Sequence, residues 1–280
     1  TGYALDPSGM HNHEARLEGE QWVAFSDLQN RAGVDDGGRF NYHLGKLVPE
    51  FVREDDAEYA LTHAGEQLIG DAVSGTYTEA DATTLDPTPV SDCPEPDCDG
   101  RIEARYEQGE ALFECDTCDG RKNVVSAPPI IIEGHGRERA PEVAGRYTQL
   151  VLERNNRGFC HLCDGPVTAT PARSHPDHDP VWESAIDYIL ECGECGESWR
   201  TGARSALVGH PATVSLLYET GVDYRMVPYW EQTWLTEATE TVTGEAPLRV
   251  RVETTIGDER VAFTVDETHV VTGYERDDSA

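Results

Sequence analysis

Hydrophobic positions recur with a helical period in the first region of the chain, between Trp22 and Thr78. The segment DLQNRA predicts a short helix that is capped by Ser26 and ended by Gly33. A second helix is predicted from Gly37 to Val48, because its apolar residues lie three and four positions apart. These apolar residues form one stripe, which consists of Phe40, Leu44, Leu47 and Val48.

A hairpin and a third helix are predicted to follow these two helices. The runs FVRE and EYALT are extended and are separated by the turn residues 55–57. The segment HAGEQLIGDAVSG then predicts an amphipathic helix, whose apolar side carries Ala64, Leu68, Ile69 and Ala72. Two helices followed by a β-hairpin are typical of a winged helix-turn-helix, which we predict for residues 1–82.

Beyond residue 82 the pattern changes to short runs with a period of two, interrupted by two helical segments. The first helical segment lies near Pro141 to Asn155, and the second begins at Pro211 and stops at Gly221. Runs such as RIEARYEQ and EALFEC predict strands. The last three runs, LRVRVETT, RVAFTVD and HVVTGYE, alternate and are joined by short turns, which predicts a β-meander.

Eight cysteines form four close pairs, three with the spacing C-x2-C and the first with C-x4-C. Two such pairs supply the four thiolates of a tetrahedral zinc site, so the pattern predicts two zinc ribbons. The predicted ligands are Cys93, Cys98, Cys115 and Cys118 for the first ion, and Cys160, Cys163, Cys192 and Cys195 for the second. Four thiolates leave no open coordination position, so both Zn²⁺ ions are expected to be structural. A disulfide framework and a redox C-x-x-C are the alternatives.

Glycine follows the second cysteine of each pair, at Gly100, Gly120, Gly165 and Gly196. A tight turn after a ligand needs positive φ, which glycine adopts without strain, so all four are expected in that conformation.

The fold class predicted from these patterns is α+β, with several domains. The expected division is a winged helix at 1–82, a linker at 83–91 rich in Pro and Thr, a zinc ribbon at 92–128, a connecting segment and helix at 129–157, a second zinc ribbon at 158–204, and a helix with the β-meander at 205–280.

Charge adds information about the surroundings of the protein. Asp and Glu number 53 against 22 Lys and Arg, a formal net charge of −31, and Lys46 and Lys122 are the only lysines. An acidic surface with almost no lysine predicts a protein of a halophilic cytoplasm, where carboxylates keep the surface hydrated in molar salt. An acidic protein of an ordinary cell is the alternative.

The length and the remaining composition bound the cellular location. A chain of 280 residues is long enough for two or three domains. No apolar run approaches the roughly 18 residues of a membrane span, and no signal-peptide pattern opens the chain. The chain begins at Thr1 without an initiator methionine, so the start is expected to be trimmed. Cysteines spaced for metal agree with a reducing, cytoplasmic location.

Several runs together resemble a known family. They are FSDLQNRAGVDDGGRFNYHLGKL, the hairpin with EYALTHAGEQL, the two cysteine ribbons and GHPATVSLLYETGVDYRMVPYWE. They resemble haloarchaeal ArsR-type winged helix-turn-helix transcriptional regulators with a C-terminal zinc-ribbon region. The resemblance extends from Phe25 to Glu275 and is most specific in the octet FNYHLGKL. It implies a regulator of transcription that binds DNA.

One departure from that family concerns the first helix. Family members open with an amphipathic helix that packs under the recognition helix and supports dimerisation. The corresponding stretch here contains Pro7 and Gly9 and has few apolar residues, so a shortened or broken helix is expected.

The second helix of a helix-turn-helix enters the major groove of DNA, and its outward side chains contact bases. With the apolar stripe inward, Arg39, His43 and Lys46 point outward, and Asn41 and Tyr42 lie beside them. Arg53 is a further candidate on the wing. The N–H groups of Gly37 and Gly38 are expected to hold a phosphate at the start of the helix.

The function predicted is sequence-specific binding of double-stranded DNA by a homodimer, because two winged helices match a pseudo-palindromic site. The alternative is a zinc-ribbon adaptor whose winged helix contacts another protein, since residues 1–80 hold 5 Arg and Lys against 15 Asp and Glu, a net of −10. A metal or small-ligand sensor would need a labile site, and none is evident.

Other candidate groups are expected to be structural. The histidines His161, His175 and His178 are expected to be solvated rather than to bind metal. The tryptophans Trp182, Trp199, Trp230 and Trp234 are expected to pack a ribbon against the meander, with a ligand pocket as the alternative. No arrangement of nucleophile, base and acid and no glycine-rich phosphate loop is present, so no enzyme activity and no small-molecule substrate are expected.

Overall fold

A computed structural model describes residues 22–75, 83–93, 97–118, 123–172 and 186–276. The chain divides into two units, residues 1–73 and residues 74–280. Each unit combines helices with antiparallel sheets, so a mixed α and β architecture is confirmed. The tail at 277–280, the loop at 173–185 and the first 21 residues, on which the broken first helix was predicted, lie outside the described residues.

From residue 22 onward, where the structure describes it, the first unit contains three helices and a three-stranded antiparallel sheet of order β1-β3-β2. Its elements are β1 (Val23–Ala24), α1 (Phe25–Ala32), α2 (Gly37–Leu44), β2 (Val52–Asp55), β3 (Glu58–Leu61) and α3 (His63–Ser74). The hairpin turn consists of Asp56 and Ala57, which both have positive φ, at 48° and 62°. A two-residue turn of this kind matches the right-handed twist of the paired strands.

The structure corrects two helix ends in this unit. Ala24, without a side-chain bond, is the N-cap of α1, so the predicted cap at Ser26 is wrong, whereas Gly33 ends the helix in the left-handed conformation as predicted. Helix α2 ends at Leu44 rather than at Val48. Beyond Leu44 the chain continues in tighter turns, in which the N–H groups of Lys46 and Leu47 donate to carbonyls three residues back, at 3.1 Å and 2.9 Å.

The core of the first unit lies between α1, α2 and the hairpin. Leu44, Val52 and Tyr59 are buried there, and the rings of Phe25 and Phe40 pack edge to face with centroids 5.3 Å apart. Helix α3 contributes only Gly65 to the buried residues. The predicted apolar side of α3 is therefore exposed, which differs from the burial that an amphipathic pattern predicts.

The second unit begins with a four-stranded antiparallel sheet of order β4-β5-β6-β7. Its strands are β4 (Leu85–Asp92), β5 (Arg101–Glu107), β6 (Glu110–Cys115) and β7 (Asn123–Ser126). The predicted linker at 83–91 is wrong, because most of that segment forms β4, which pairs with β5.

Helices connect this sheet to the next one. They are α4 (Ile130–Glu133), a short 3-10 helix (Arg137–Arg139) and α5 (Ala140–Asn156). Pro141 lies in the first turn of α5, as predicted. Helix α5 buries residues on several sides and packs against Trp230, whose ring lies where a side chain on Gly145 would be.

The second sheet is antiparallel with order β10-β9-β8. Its strands are β8 (Val167–Ala172), β9 (Asp187–Cys192) and β10 (Ser198–Gly202).

The C-terminal part carries the predicted meander and one further strand. Short 3-10 helices (Ala203–Leu207, Tyr224–Met226 and Tyr229–Glu231) alternate with α6 (Pro211–Glu219) and α7 (Thr233–Thr236). The sheet has the order β11-β12-β13-β14, with β11 (Thr239–Glu245), β12 (Leu248–Ile256), β13 (Glu259–Asp266) and β14 (Val271–Arg276). Strand β11 was not predicted.

One hydrophobic core runs through the whole second unit. Tyr106 and Phe113 from the first sheet, Tyr188 from the second and Phe263 from the meander all belong to it. The four segments predicted as separate domains between residues 92 and 280 are therefore parts of one unit, which corrects the predicted division.

The tryptophans support this common core. Trp234 is buried, and the ring of Trp230 lies 5.0 Å from that of Phe113, on the first ribbon. Trp199 is partly buried against the same core, and Trp182 lies outside the described residues. The three described tryptophans are thus core aromatics, as predicted, while their packing of a ribbon against the meander stays a prediction.

A buried ion pair connects the 3-10 helix Ala203–Leu207 to the meander. Arg204 Nε lies 2.9 Å from Glu240 Oε1, and both side chains are almost fully buried. The same carboxylate accepts a bond from the Arg204 backbone N–H. Removing one partner of such a pair leaves an uncompensated buried charge, which costs about 3–5 kcal/mol.

Candidate metal centres and nucleic-acid interface

The first four-cysteine group lies at one end of the first sheet. Cys93 follows β4 and Cys98 precedes β5, while Cys115 ends β6 and Cys118 lies three residues further on. The pairing of Ile102 with Cys115 holds the two cysteine pairs side by side. Cys93 Sγ lies 3.7 Å from Cys118 Sγ, and Cys98 Sγ lies 3.7 Å from Cys115 Sγ.

The second group is built in the same way. Cys160 and Cys163 precede β8, Cys192 ends β9, and Cys195 lies in the turn before β10. The pairing of Val167 with Cys192 brings the two pairs together. Cys160 Sγ lies 3.7 Å from Cys195 Sγ, and Cys163 Sγ lies 3.5 Å from Cys192 Sγ.

Both groups fit a tetrahedral metal ion. In each group all four Sγ atoms lie within 4.8 Å of one another. A tetrahedron with metal–sulfur bonds of about 2.3 Å has edges of about 3.8 Å, close to the measured separations. A disulfide requires about 2.05 Å between sulfurs, so the disulfide alternative is wrong. The prediction of two four-cysteine groups positioned to hold a metal ion is confirmed.

Backbone N–H groups surround the sulfurs and favour thiolates. Cys98 Sγ accepts from Gly100 at 3.4 Å, Cys115 Sγ from Thr117 at 3.4 Å, and Cys160 Sγ from Leu162 at 3.4 Å. The backbone N–H groups of Cys195 and Glu194 lower the pKa of Cys192 to about 7. For Cys195 the Glu197 N–H lowers the pKa, but the neighbouring thiol of Cys163, burial and the other two thiols raise it to about 12. A thiolate is the form that binds a metal, so the backbone prepares Cys192 as a ligand, whereas the crowding of four sulfurs opposes the ionisation of Cys195.

Glycine is required beside the cysteines for two different physical reasons, positive φ and close packing. Gly196 has a φ of 77°, as predicted. Gly100 and Gly165 do not have positive φ, so the prediction is wrong for both. A Cβ on Gly100 would lie 2.7 Å from Cys115 Sγ, and one on Gly165 would lie 2.9 Å from the Glu194 side chain and 3.1 Å from Cys163 Sγ. These two glycines make room for the atoms packed against them at the cysteine groups. Gly120 lies outside the described residues.

The histidines contribute no ligand among the described residues. His161 lies next to Cys160, but its ring packs edge to face on Trp199 with centroids 5.6 Å apart. Burial lowers the pKa of His161, and Arg154 adds to this effect. Both described metal groups contain cysteine alone. His175 and His178 lie outside the described residues.

The exposed surface of α2 and the turn after it carries the predicted DNA contacts. Arg39, Asn41, Tyr42, His43 and Lys46 are all exposed, whereas Leu44 is buried in the core. Lys46 Nζ lies 4.5 Å from the centroid of the Tyr42 ring, and the Tyr42 and His43 rings pack edge to face. Contacts thus join Tyr42, His43 and Lys46, and all five side chains are exposed on α2 and the turn after it, which we call the α2 surface.

Arg53 differs from the other candidates. Its guanidinium donates to the Leu61 carbonyl at 3.1 Å, and its Cζ lies 5.6 Å from the centroid of the Trp22 ring. This side chain is thus engaged with Leu61 and Trp22, and its contact with DNA stays a prediction.

The start of α2 is capped by a residue that the sequence interpretation missed. Asp36 Oδ1 accepts bonds from the N–H groups of Gly38, at 2.9 Å, and Arg39, at 3.1 Å. A carboxylate thus occupies the position expected for a phosphate, and its charge repels one. The predicted phosphate site at Gly37 and Gly38 is wrong. An aspartate immediately before a predicted helix is the signal of this cap.

No helix among the described residues is long and apolar enough to cross a membrane.

Comparisons with known proteins place the chain by family alone. No curated protein matches the chain, and no solved structure matches it. A family model described as a domain of unknown function, DUF7347, matches residues 10–72, which fall in the first unit. A second family model, described as a domain of unknown function, DUF7351, matches residues 91–271. Since that match covers more than half of the chain, the chain belongs to the DUF7351 family.

Proposed function

We propose that this protein is a DNA-binding regulator of transcription, and that its first unit is a winged helix. The observation that carries the proposal is the α2 surface, where Arg39, His43 and Lys46 are exposed together while Leu44 anchors the helix in the core. Arginine and lysine pair with guanine, and Asn41 beside them has the amide that pairs with adenine.

The order of elements in the first unit supports this assignment. Helices α1 and α2 are joined by a short turn at Gly33, the β2–β3 hairpin follows, and α3 comes last. In a winged helix this order makes α2 the helix that enters the major groove and the hairpin the wing. The domain uses a two-residue wing turn, so the wing is short.

The negative charge of the first unit argues against DNA binding at low salt, but this repulsion is screened in concentrated salt. The net of −10 over residues 1–80, from 5 basic and 15 acidic residues, repels phosphates at low salt. At about 1 M salt the Debye length falls to roughly 3 Å, so contacts at hydrogen-bond distance dominate. An acidic protein takes cations up when it meets DNA, and we therefore expect an affinity that is flat or rises with KCl.

We propose that the metal is Zn²⁺, with two ions per chain. Four thiolates at tetrahedral separations are the donor set of structural zinc, and they leave no position for a substrate or water. When bound, zinc would hold together the cysteine pairs at the end of each sheet. The chain itself supplies the thiolates and the backbone N–H groups that stabilise them.

We propose that two chains form the DNA-binding species. Helix α3 exposes apolar side chains, with Leu68 at 42%, Ile69 at 52% and Val73 at 70% of their area. Apolar side chains clustered on one helix favour contact with a second protein surface. A dimer would place two α2 surfaces on the two halves of a pseudo-palindromic site.

The test is a selection of DNA by the full-length protein. Genomic DNA fragments bound in about 1 M KCl are sequenced, and affinity is then measured for the enriched sequence. Replacing Arg39, His43 and Lys46 together with alanine should lower that affinity at least 100-fold, because each base contact contributes about 1–3 kcal/mol. All three side chains are exposed, so zinc content and thermal unfolding should not change.

The matched control removes the same formal charge from the second unit. The variant Arg157→Ala with Arg225→Ala changes two exposed arginines and should bind the enriched DNA like the wild type. If the wild type enriches no sequence, or if the triple variant keeps its affinity, the proposal fails. The function would then be that of an adaptor that contacts protein through its winged helix or ribbons.

A further inference from the structure

A groove of about 560 Å³ lies within the second unit, between the two cysteine-bearing sheets. One wall is β7, which is the edge strand of the first sheet, and the other wall is β10, which is an edge strand of the second. The floor contains Val151 and Leu152 of α5 and the side chain of Leu235. None of the metal-binding cysteines lines the groove, although His161 and Glu197 in its lining lie one residue after Cys160 and two residues after Cys195. The groove belongs to a different unit from the α2 surface.

Both walls present the backbone edge of a strand. Consecutive residues line the groove, namely 123–126 from β7 and 198–201 from β10. Successive side chains of a strand point to opposite faces, so a groove above a face is lined by alternate residues only. Lining by consecutive residues therefore means that the edges of the strands face the groove.

Each edge has backbone groups available for pairing. Among the described strands, β7 pairs with β6 alone and β10 pairs with β9 alone. The N–H and C=O groups on the other side of each strand therefore point away from a neighbouring strand. Such edges bind an extended peptide by adding it as a further strand.

The charges in the groove indicate a basic ligand. Arg200 lies 3.4 Å from Asp187, and Arg204 pairs with Glu240, so both arginines of the groove are neutralised by acidic partners. Glu110 and Glu197 also line the groove, and neither takes part in an ion pair within the described part of the chain. Two carboxylates without a cationic partner in the described part of the chain favour a basic ligand beside them.

We infer that this groove binds an extended segment of a partner protein that alternates apolar residues with lysine or arginine. The segment lies along the two edge strands, its apolar side chains contact the floor, and its basic side chains face Glu110 and Glu197. Main-chain hydrogen bonds would supply affinity, and the alternate side chains would supply specificity. The inference stands independently of DNA binding.

The test uses the full-length protein and a library of random heptapeptides, in the lowest KCl concentration at which the protein stays folded. We expect enriched peptides to alternate apolar and basic residues. A synthetic copy of the enriched peptide, methylated on alternate backbone nitrogens, keeps every side chain but loses the N–H donors at those positions. This peptide should bind at least tenfold more weakly if the strand edges form main-chain hydrogen bonds with it.

Variants locate the binding. Val124 is 47% exposed on the edge strand β7, and a charge there blocks strand addition, so Val124→Lys should lower peptide affinity at least tenfold. Val222 is 46% exposed and does not line the groove, so Val222→Lys is the matched control and should bind like the wild type. Replacing Glu110 and Glu197 with glutamine should weaken binding by roughly five- to tenfold.

Three outcomes would overturn the inference. The first is that no peptide is enriched, and the second is that the N-methylated peptide binds as well as its parent. The third is that Val124→Lys dissociates a dimer of the wild type while peptide binding is absent, which would assign the groove to a second copy of this chain. None of these outcomes depends on DNA, so they are distinguishable from a failure of the proposed function.

Discussion

The imidazole of His269 shows how burial fixes the chemistry of a single residue. Its Nε2 lies 3.0 Å from Ser205 Oγ and its ring lies 4.9 Å from that of Tyr188. The Ser205 hydroxyl donates to the Gly202 carbonyl, so its oxygen accepts from the His269 N–H. This direction is opposite to the one in which histidine activates serine as a nucleophile. The pair connects the turn after β13 to the 3-10 helix Ala203–Leu207.

His269 makes stability depend on pH. Burial lowers its pKa to about 4, against about 6.5 in the unfolded chain. The neutral form is favoured in the folded state, so this contribution to stability is complete above pH 6.5 and is lost as pH falls toward 4. We expect His269 to lower the free energy of unfolding by about 2 kcal/mol between pH 7.5 and pH 5. Urea unfolding at constant KCl concentration measures the free energy of unfolding at the two pH values.

The variant His269→Gln separates this effect from other titrations. Glutamine keeps a hydrogen-bond donor but does not titrate in this range, so its unfolding free energy should fall less on acidification. His43→Gln, on the exposed α2 surface, is the control and should follow the wild type. Zinc content is measured at both pH values, because thiolates protonate in acid. An equal fall in unfolding free energy between pH 7.5 and pH 5 for the wild type and His269→Gln would contradict the prediction.

Individual residues differ in how far spacing reveals their role. The metal-binding cysteines could be predicted because ligand spacing along the chain is set by the short turns that carry them. The need for glycine at positions 100 and 165 could not be predicted in this way, because three-dimensional packing brings the neighbouring side chains against both glycines, Gly100 and Gly165. The contact of Arg53 with the Leu61 carbonyl could not be predicted for the same reason, because the two residues meet only when the hairpin forms.

At the scale of elements, helix α3 packs so closely that one glycine is required. A Cβ on Gly65 would lie 2.2 Å from the carbonyl oxygen of Phe51, which is backbone and cannot move aside easily. A Cβ on Gly70, in the same helix, would meet nothing within 4 Å. Two glycines of one helix therefore have opposite requirements.

Alanine at these two positions is expected to change stability in opposite directions. Gly70→Ala should stabilise the protein by about 0.5–1 kcal/mol, because glycine is a poor helix former. Gly65→Ala has the same gain in propensity, but overpacking against the backbone should outweigh it and destabilise by about 1–3 kcal/mol. Thermal unfolding of the two variants in one buffer gives the comparison. Stabilisation by both would show that α3 does not pack on Phe51.

The cysteine ribbons lead to a prediction about metal content. Protein made without tags should contain two zinc ions per chain by elemental analysis, one for each group of four thiols. Cys98→Ser or Cys163→Ser should each remove about one ion and lower the unfolding temperature, because metal binding contributes directly to the folding of such units. Zinc near zero, with disulfides detected by mass, would contradict the two-site prediction.

Strands β4 and β11 show why some elements were not predicted. The run that forms β4 contains Pro87 and Pro89, which normally argue against a strand. In the structure β4 is an edge strand, and its register with β5 shifts between Leu85 and Thr88 and again after Pro89. The missing N–H groups of proline are tolerated at such places. Strand β11 is also an edge, and Val242 is its only strongly apolar residue, so the alternation was weak.

At the scale of the whole molecule, periodicity predicted elements better than domains. An apolar pattern says which face of an element is buried but not what covers it. The ribbons, α5 and the meander share one core, so the division of residues 92–280 into separate domains was wrong. The boundary near residue 74 also agrees with the two family matches, 10–72 and 91–271, which fall in different units.

Net charge governs the last expectation, which concerns the salt that the whole chain needs. A chain with 53 acidic and 22 basic residues repels itself, and this repulsion is greatest in the compact state. The Debye length is about 10 Å at 0.1 M salt and about 3 Å at 1 M. We therefore expect thermal unfolding, followed by circular dichroism, to move to a lower temperature when KCl falls from about 1 M to about 0.1 M.

A charge variant distinguishes repulsion from a general effect of salt on hydrophobic contacts. Four exposed glutamates without ion pairs among the described residues, Glu66, Glu138, Glu191 and Glu237, are replaced with glutamine. Removing four negative charges should reduce the dependence of the unfolding temperature on KCl, whereas salt acting on apolar burial alone would leave it unchanged. Melts of the wild type that coincide at both KCl concentrations would show that the acidic surface is not an adaptation to salt.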